Sequence, residues 1–280
     1  MSPRVLITGA KGMLGSELCR LAPETVELTA VDLDELDIRD GPACRALLRD
    51  IRPRYVVHCA AFTDVDQCTR HPEPCFAVNA TGTRRVAEAA GEVGARLIAL
   101  STDYVYDGRK REPYVEDDPP DPLSPYGESK LQGERHVQAL APDHLIIRTQ
   151  WLFGANGRNL VSTIVRAARG GRPLRIITDQ WGAPTSARDL AAAIWAGRDL
   201  PSGLYHVTNA GAASWYDVAR CALDAAGLGA VQVTPITAAE WDSPTVRPAY
   251  AVLSNAKWIA AGMTPLRPWQ EAVTEFVKGM

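Results

Sequence analysis

The chain has 280 residues, enough for one large domain or two modest ones sharing a core. Hydrophobic residues make up 46% and charged residues 22%, close to globular averages, which excludes an intrinsically disordered chain. Thirty basic and 33 acidic side chains leave a formal charge of −3 with no long basic run, which argues against a nucleic-acid surface, and no stretch approaches the ~20 apolar residues of a membrane span.

Met1-Ser2-Pro3-Arg4 passes straight into an apolar run without a signal-peptide core, so a cytoplasmic protein is expected. Arg4–Thr8 reads as the first strand, followed by a glycine turn and an amphipathic helix ending at Leu21. Val26–Val31 is a second strand, and Gly41–Ile51 a helix turning Ala43, Leu47 and Leu48 toward the core. Tyr55–Cys59 is a third strand and Asn79–Val93 the next helix. A strand over Leu97–Ser101, a helix over Pro125–Leu140 and a strand over Leu145–Arg148 complete the first half. Strands without polar alternation, separated by helices, indicate a parallel sheet covered on both faces. The expected fold class is therefore α/β, a doubly wound parallel sheet of the Rossmann type, with a smaller C-terminal region.

Beyond Arg148 prolines and glycines recur, with helices expected at Asn159–Arg169, Ala187–Ala196 and Ser214–Ala226 and short strands at Leu174–Ile177 and Leu204–Val207. Asp103–Asp121 is acidic, proline-rich and without helical period, so it reads as a long loop, a kind usually functional or mobile inside a compact domain. The six cysteines read as reduced thiols, because a chain of this length buries a full core without staples. Cys68, His71 and Cys75, with His58-Cys59 upstream, superficially match zinc ligands. No CxxC pair is present and Cys59 closes an apolar strand, so no metal is expected.

Two motifs carry chemistry. Thr8-Gly9-Ala10-Lys11-Gly12-Met13-Leu14-Gly15 follows the first strand and opens the first helix. Gly9 allows the tight turn, Gly12 lets the backbone approach a pyrophosphate, and Gly15 lets the helix sit close to the sheet. The helix N-terminus then offers N–H groups to the anion. Asp32, roughly twenty residues on, stands where an acid binds adenosine ribose hydroxyls, which favours NADH. Lys11 inside the loop is suited to a 2′-phosphate, which favours NADPH, and both cofactors stay open.

The second motif is Ser124-Pro125-Tyr126-Gly127-Glu128-Ser129-Lys130. Ser124 is a good N-cap and Pro125 suits the first helical position, so Tyr126 and Lys130 share a helix face. A phenol has a pKa near ~10. A neighbouring ammonium lowers it, and such a phenol serves as general acid toward a ketone oxygen that receives a hydride. Ser101-Thr102-Asp103 places a hydroxyl at the carboxyl end of the sheet, where ligands bind in such folds.

With Asn79-Ala80-Thr81-Gly82-Thr83, these motifs resemble the extended, nucleotide-sugar-modifying branch of the short-chain dehydrogenases/reductases. Further segments narrow the resemblance: Ser101–Gly108, Arg148–Gly154, Gln180–Thr185, Gly203–His206, Ser214–Tyr216, Arg247-Pro248 and Ser254-Asn255 are similar to those of dTDP-4-dehydrorhamnose reductases. Membership implies reduction of the C4 ketone of dTDP-4-dehydro-L-rhamnose by NADPH or NADH, giving dTDP-L-rhamnose. It implies that Tyr126 protonates the C4 oxygen, that Lys130 holds the nicotinamide ribose and tunes Tyr126, and that Thr102 bonds the reacting oxygen or the tyrosine. Thr102, Asp103 and Trp151 would contact the sugar, while Gly12-Met13-Leu14, Asp32, Asp37-Ile38 and Ala60-Ala61-Phe62 would border the cofactor. Phe62 departs from the histidine common in that segment. Residues 1–148 would then form the dinucleotide-binding domain with the catalytic pair, and 149–280 mainly the substrate-binding region, partly interleaved with it. Arg247 reads either as a diphosphate clamp or as a structural ion pair. Trp151, Trp181, Trp215, Trp241 and Trp269 each read as core aromatics, with Trp151 singled out by the resemblance, and His206 as a satisfied strand histidine. A homodimer stays open.

Related dehydratases carry glutamate after the Thr-Asp pair, whereas this chain has Tyr104, which favours reduction over water elimination. The alternatives are another dTDP-4-keto-6-deoxysugar reductase or epimerase, or a non-catalytic regulatory subunit like that of methionine adenosyltransferase. The intact Tyr126/Lys130 pair argues against the last.

Overall fold

Alternation along short apolar strands sends neighbouring side chains to opposite faces, so a single sheet feeds two cores. The computed structural model describes residues 2–280 and shows this split. Val5, Ile7, Val57, Ile98 and Ile147 enter one core with Leu14, Leu18, Leu190 and Ile194 of two covering helices, Met13–Arg20 and Ala187–Gly197. Leu6, Val56, Leu97 and Ile146 enter the other, against Cys44, Leu48, Val86, Ala90 and Val137 of helices Gly41–Ile51, Thr83–Val93 and Pro125–Leu140. Each such side chain contributes ~1.5–3 kcal/mol when removed from water, which makes the two-faced sheet the stable centre of the fold.

The six strands run in the spatial order Gly203–His206, His144–Thr149, Arg96–Thr102, Tyr55–His58, Arg4–Thr8, Glu27–Val31, and all pair in parallel. The first strand lies between the second and third, so connections leave it in opposite directions and open a crevice at the carboxyl ends. The doubly wound expectation therefore stands. One of the six strands comes from the second half of the chain, where the sequence marked a short strand at Leu204–Val207 without assigning it to this sheet.

Three further second-half helices, Leu160–Arg169, Trp215–Ala225 and Trp269–Lys278, pack around Val161, Val165, Val218, Ala222, Val273 and Val277. Asn159 and Ser214 cap the first two through their side chains instead of starting them. The helix expected at Asn79 starts earlier. Helical backbone begins at Pro72, whose fixed φ suits a first turn, and passes through a π-helical segment, Ala77–Gly82, before Thr83–Val93. Three helices were not anticipated, Val65–Arg70, Ala256–Ala260 and Trp269–Lys278; the first is capped by the Asp64 side chain. All six cysteines are free, and among the described residues no group of three His, Cys, Asp or Glu is arranged to hold a metal. Among the described residues no helix is long and apolar enough to cross a membrane.

Candidate active site

The glycine loop is shaped by contact. Gly9 has φ +69°, and a Cβ there would lie 2.6 Å from the Ala60 amide nitrogen. A Cβ at Gly15 would lie 2.1 Å from the Gly9 carbonyl oxygen, so the helix meets the turn only without side chains. Gly12 is the N-cap of Met13–Arg20, leaving the first-turn amides facing the crevice end of the sheet. A cleft of about 400 Å³ opens here, with Gly9, Gly12, Met13, Leu14 and Gly15 on one wall and Thr102, Asp103, Tyr126, Lys130 and Trp151 on the other. Ser101 Oγ and Thr149 Oγ1 also line it, buried and without a hydrogen-bond partner among the described residues. Buried polar atoms are rarely left unpaired, and these two mark where a polar ligand is received. A side-chain-free anion cradle beside orphaned hydroxyls fits a dinucleotide.

The helix Pro125–Leu140 brings Tyr126 and Lys130 to the cleft. Ser124 Oγ accepts the Gly127 N–H at 3.2 Å and Pro125 opens the helix, as the spacing predicts. A Cβ at Gly127 would lie 2.1 Å from the Tyr104 carbonyl oxygen, so the helix start is pressed against the end of strand Arg96–Thr102. Lys130 is buried, and its Nζ donates to the Leu100 carbonyl at 2.7 Å. Burial holds the Lys130 ammonium down at about 8. Tyr126 departs from expectation: burial pushes its phenol well above the ordinary tyrosine value, opposed by the Thr102 hydroxyl. Desolvation outweighs the Thr102 hydrogen bond, and the nearby Asp103 carboxylate pushes in the same direction as burial. The phenol is consequently held protonated, the state a proton donor needs. Because Lys130 loses its charge as pH rises through about 8, kcat/KM is expected to decline above that pH with a single ionisation. A flat profile from pH 7 to 9.5 would remove Lys130 charge from the rate.

Thr102 Oγ1 donates to Asp103 Oδ1 at 3.0 Å and accepts the Tyr104 N–H at 3.2 Å. Asp103 is buried, which raises its carboxyl to about 7 against hydrogen bonds from Thr102 and Gln150. Tyr104, where dehydratases carry glutamate, packs edge-on to Tyr126 with ring centroids 5.3 Å apart. Trp151 has φ +47°, a sparsely populated backbone state for a bulky residue. Its indole stacks on Trp215 at 3.4 Å and leaves no space for a Cβ at Gly182, which would sit 2.6 Å from the ring. Such strain clusters at ligand sites.

Other expected residues are placed differently. Ala61 lines the cleft, and the Ala60 backbone packs under Gly9. Phe62 is held by its backbone: its N–H donates to Asn79 Oδ1 at 2.8 Å, and Asn79 Nδ2 donates to its carbonyl at 2.9 Å. Ile38 is buried in the sheet core and Asp37 is bidentate with Arg39, so neither lines the cleft. Lys11 and Asp32 lie past the cleft wall at the end of strand Glu27–Val31. Arg247 is ion-paired with Asp66 at 2.7 Å and also lines a neighbouring cavity of about 610 Å³. Trp215 borders both spaces, which makes them adjoining chambers.

The core reading of the tryptophans is corrected for Trp181 and Trp241, which are 41% and 47% exposed, and for Trp151 and Trp215, which face the cleft. Trp269 is buried as expected, and His206 is satisfied by the Tyr106 hydroxyl and the Tyr114 carbonyl. Sequence reasoning did not place Asn79, Gln150 or Trp215 in the site. Asn79 lies in the π-helical segment, a feature frequent at functional sites, and bridges the Phe62 backbone to Ser129 Oγ beside Lys130 at 3.1 Å. Gln150 Oε1 accepts the Ala183 N–H, and its Nε2 donates to Asp103 and to the Ala251 carbonyl, tying the cleft to the C-terminal half.

The family model described as "RmlD substrate binding domain" matches residues 3–280. A dTDP-4-dehydrorhamnose reductase of Streptomyces griseus is 43% identical, covering 98% of this chain and 92% of the relative. A probable dTDP-4,6-dihydroxy-2-methyloxan-3-one 4-ketoreductase of Streptomyces antibioticus is 42% identical, covering 97% and 94%. The crystal structure of dTDP-4-dehydrorhamnose reductase from Bacillus anthracis in complex with NADP superposes with a TM-score of 0.96 at 35% identity, covering 100% of both chains.

Proposed function

Because the chain belongs to the dTDP-4-dehydrorhamnose reductase family, matched along residues 3–280, we propose that it reduces the C4 ketone of dTDP-4-dehydro-L-rhamnose to dTDP-L-rhamnose. It is an NAD(P)H-dependent oxidoreductase of nucleotide-sugar biosynthesis. The observation that carries the site assignment is the meeting of Tyr126, Lys130 and Thr102 on one cleft wall opposite the glycine loop.

Bound NADPH or NADH supplies the hydride. Tyr126, held protonated by burial, donates its phenolic proton to the C4 oxygen as charge develops there. Thr102 bonds that oxygen or the tyrosine, and its hydroxyl is oriented by Asp103. Lys130, one helical turn after Tyr126 and fixed by the Leu100 carbonyl, holds the nicotinamide ribose. Trp151 walls the sugar side, and Asp103 offers a polar partner to the sugar. Met13, Leu14 and Ala61 border the cofactor. The adjoining 610 Å³ cavity, with Arg175 and Arg247 beside the exposed Trp241, suits the nucleoside diphosphate. Arg247 serves both readings of the sequence, since its pairing with Asp66 orients the guanidinium that borders the cavity. Residues 1–148 thus mainly bind dinucleotide and supply the catalytic pair, and 149–280 mainly shape the sugar-nucleotide seat. A cytoplasmic location is in keeping with a biosynthetic oxidoreductase of this family.

The test follows nicotinamide absorbance with dTDP-4-dehydro-L-rhamnose. Oxidation of NADH or NADPH is expected, and no oxidation of either by folded protein would overturn the reading. The ketoreductase relative at 42% identity makes other dTDP-4-keto-6-deoxyhexoses the nearest competing substrates, which NMR of the product separates.

A further inference from the structure

Gln150 follows the last residue of strand His144–Thr149, whose Thr149 pairs with Thr102, so it stands beside Asp103 one step past the ladder. It is 2% exposed, and all four hydrogen-bonding positions of its amide are taken. Oε1 accepts the Ala183 N–H at 2.9 Å and the Leu253 N–H at 3.4 Å. Nε2 donates to Asp103 Oδ2 at 3.2 Å and to the Ala251 carbonyl at 2.9 Å. These partners admit one orientation, because a flipped amide would turn its NH2 toward two N–H donors and its oxygen toward a carboxylate and a carbonyl. Ala183 and Ala251 belong to second-half segments laced together by the Trp181 N–H on the Ala249 carbonyl at 2.8 Å and the Ala251 N–H on the Trp181 carbonyl at 2.9 Å. Asp103 belongs to the catalytic side: its Oδ1 accepts the Thr102 hydroxyl at 3.0 Å, and that hydroxyl bears on the Tyr126 phenol. The other hydrogen bonds to the Asp103 carboxylate come from the backbone of its own turn, so Gln150 supplies the hold from outside it.

We propose that Gln150 is a positioning residue for the reduction, clamping Oδ2 of Asp103 so that Oδ1 fixes the Thr102 hydroxyl beside Tyr126. The proposal rests on the reductase reading above and names what aims Thr102. A carboxylate held at both oxygens cannot swing about its Cβ–Cγ bond, and the hydroxyl it accepts from is then held in one direction. Loss of that direction falls on the chemical step. A mere tether between the two halves would act on the sugar seat instead, raising KM with kcat unchanged.

Gln150→Met, of similar volume, removes all four hydrogen bonds. Its kcat is expected to fall about tenfold, equivalent to ~1.4 kcal/mol, with nucleotide binding retained by fluorescence titration. The second readout is the titration of the Asp103 carboxyl by 13C NMR, assigned by its loss in Asp103→Asn. The groups facing that carboxyl are Thr102, Gln150, Tyr104 and Tyr126, with Arg247 and Asp66 beyond Tyr104. Its midpoint is about 7. Losing a hydrogen bond that favours the charged form moves it upward, by about one pH unit. Gln150→Glu is the conservative partner, since its carboxyl donates to Asp103 only while protonated. Relative to the unmodified chain its kcat should be nearly normal at about pH 6 and fall toward that of Gln150→Met by about pH 9. Thermal unfolding identifies the variants that are folded, and the Gln150→Glu profile decides alone if Gln150→Met is not. A Gln150→Met variant with normal kcat and only a raised KM, an unmoved Asp103 titration, or a Gln150→Glu profile parallel to the unmodified one would each overturn the clamp and leave the reductase reading standing. Inactivity of the folded, unmodified chain toward dTDP-4-dehydro-L-rhamnose with either nucleotide would overturn both.

Discussion

Tyr126→Phe is expected to lower kcat by ~10²–10⁴-fold, the usual contribution of a positioned general acid, while nucleotide binding is retained. The substitution removes one oxygen from a residue whose ring packs against Tyr104, so the wall of the cleft is preserved. Burial keeps the phenol protonated across the working pH range, so the lost group is the proton donor and not a charge. Lys130 stays anchored to Leu100 and does not reach a substitute donor, and Thr102 Oγ1 is engaged with Asp103. The measurement is steady-state turnover beside a fluorescence titration of the cofactor. Turnover within a few-fold of the unmodified chain would remove Tyr126 from the chemistry.

Glu134→Ala is expected to cost about 3–5 kcal/mol of stability, a large part of the ~5–15 kcal/mol typical of a folded domain. Glu134 lies one turn beyond Lys130 on the same helix, and its carboxylate takes two hydrogen bonds from Arg148, at 2.8 and 2.5 Å. Both side chains are only 4% exposed. Arg148 also donates to the Tyr106 hydroxyl at 2.7 Å, and Tyr106 in turn bonds the Val115 carbonyl and His206. The pair thereby joins the catalytic helix, strand His144–Thr149 and the loop after Asp103. Removing the carboxylate strands a buried guanidinium, which is the costly event. Replacing both partners at once by Leu and Met should recover most of the loss, because no charge is then left unpaired. Urea denaturation midpoints report both results, and an unchanged midpoint for Glu134→Ala would show that the cation is solvated in some other way.

The legible parts of the site are those with short sequence spacing. Gly9, Gly12 and Gly15 recur within one turn and helix start, and Tyr126 and Lys130 are four apart on one helix, so backbone geometry alone puts each set together. The strands were legible because burial on both faces leaves continuous apolar runs. Illegible were the pairings that close over long separations: Arg247 with Asp66, Phe62 with Asn79, Trp151 with Trp215. None has a local period, and Trp215 in particular reads from sequence like any core aromatic. The same holds for the strand Gly203–His206, whose apolar residues are too few to show which sheet they join.

With a nearly neutral charge of −3 and no long basic run, the sequence through its motifs determined a nucleotide-binding α/β reductase and pointed to Tyr126 as the expected proton donor. Tertiary structure decided what the charges and burial do. It held Tyr126 protonated where the sequence suggested a lowered pKa, committed Lys11 to Asp34 and Glu35, and set the cleft against a second chamber across Trp215. The physical reason is common to all three. Spacing along a helix or turn fixes direction, but desolvation and ion pairing depend on which distant groups arrive at the same place.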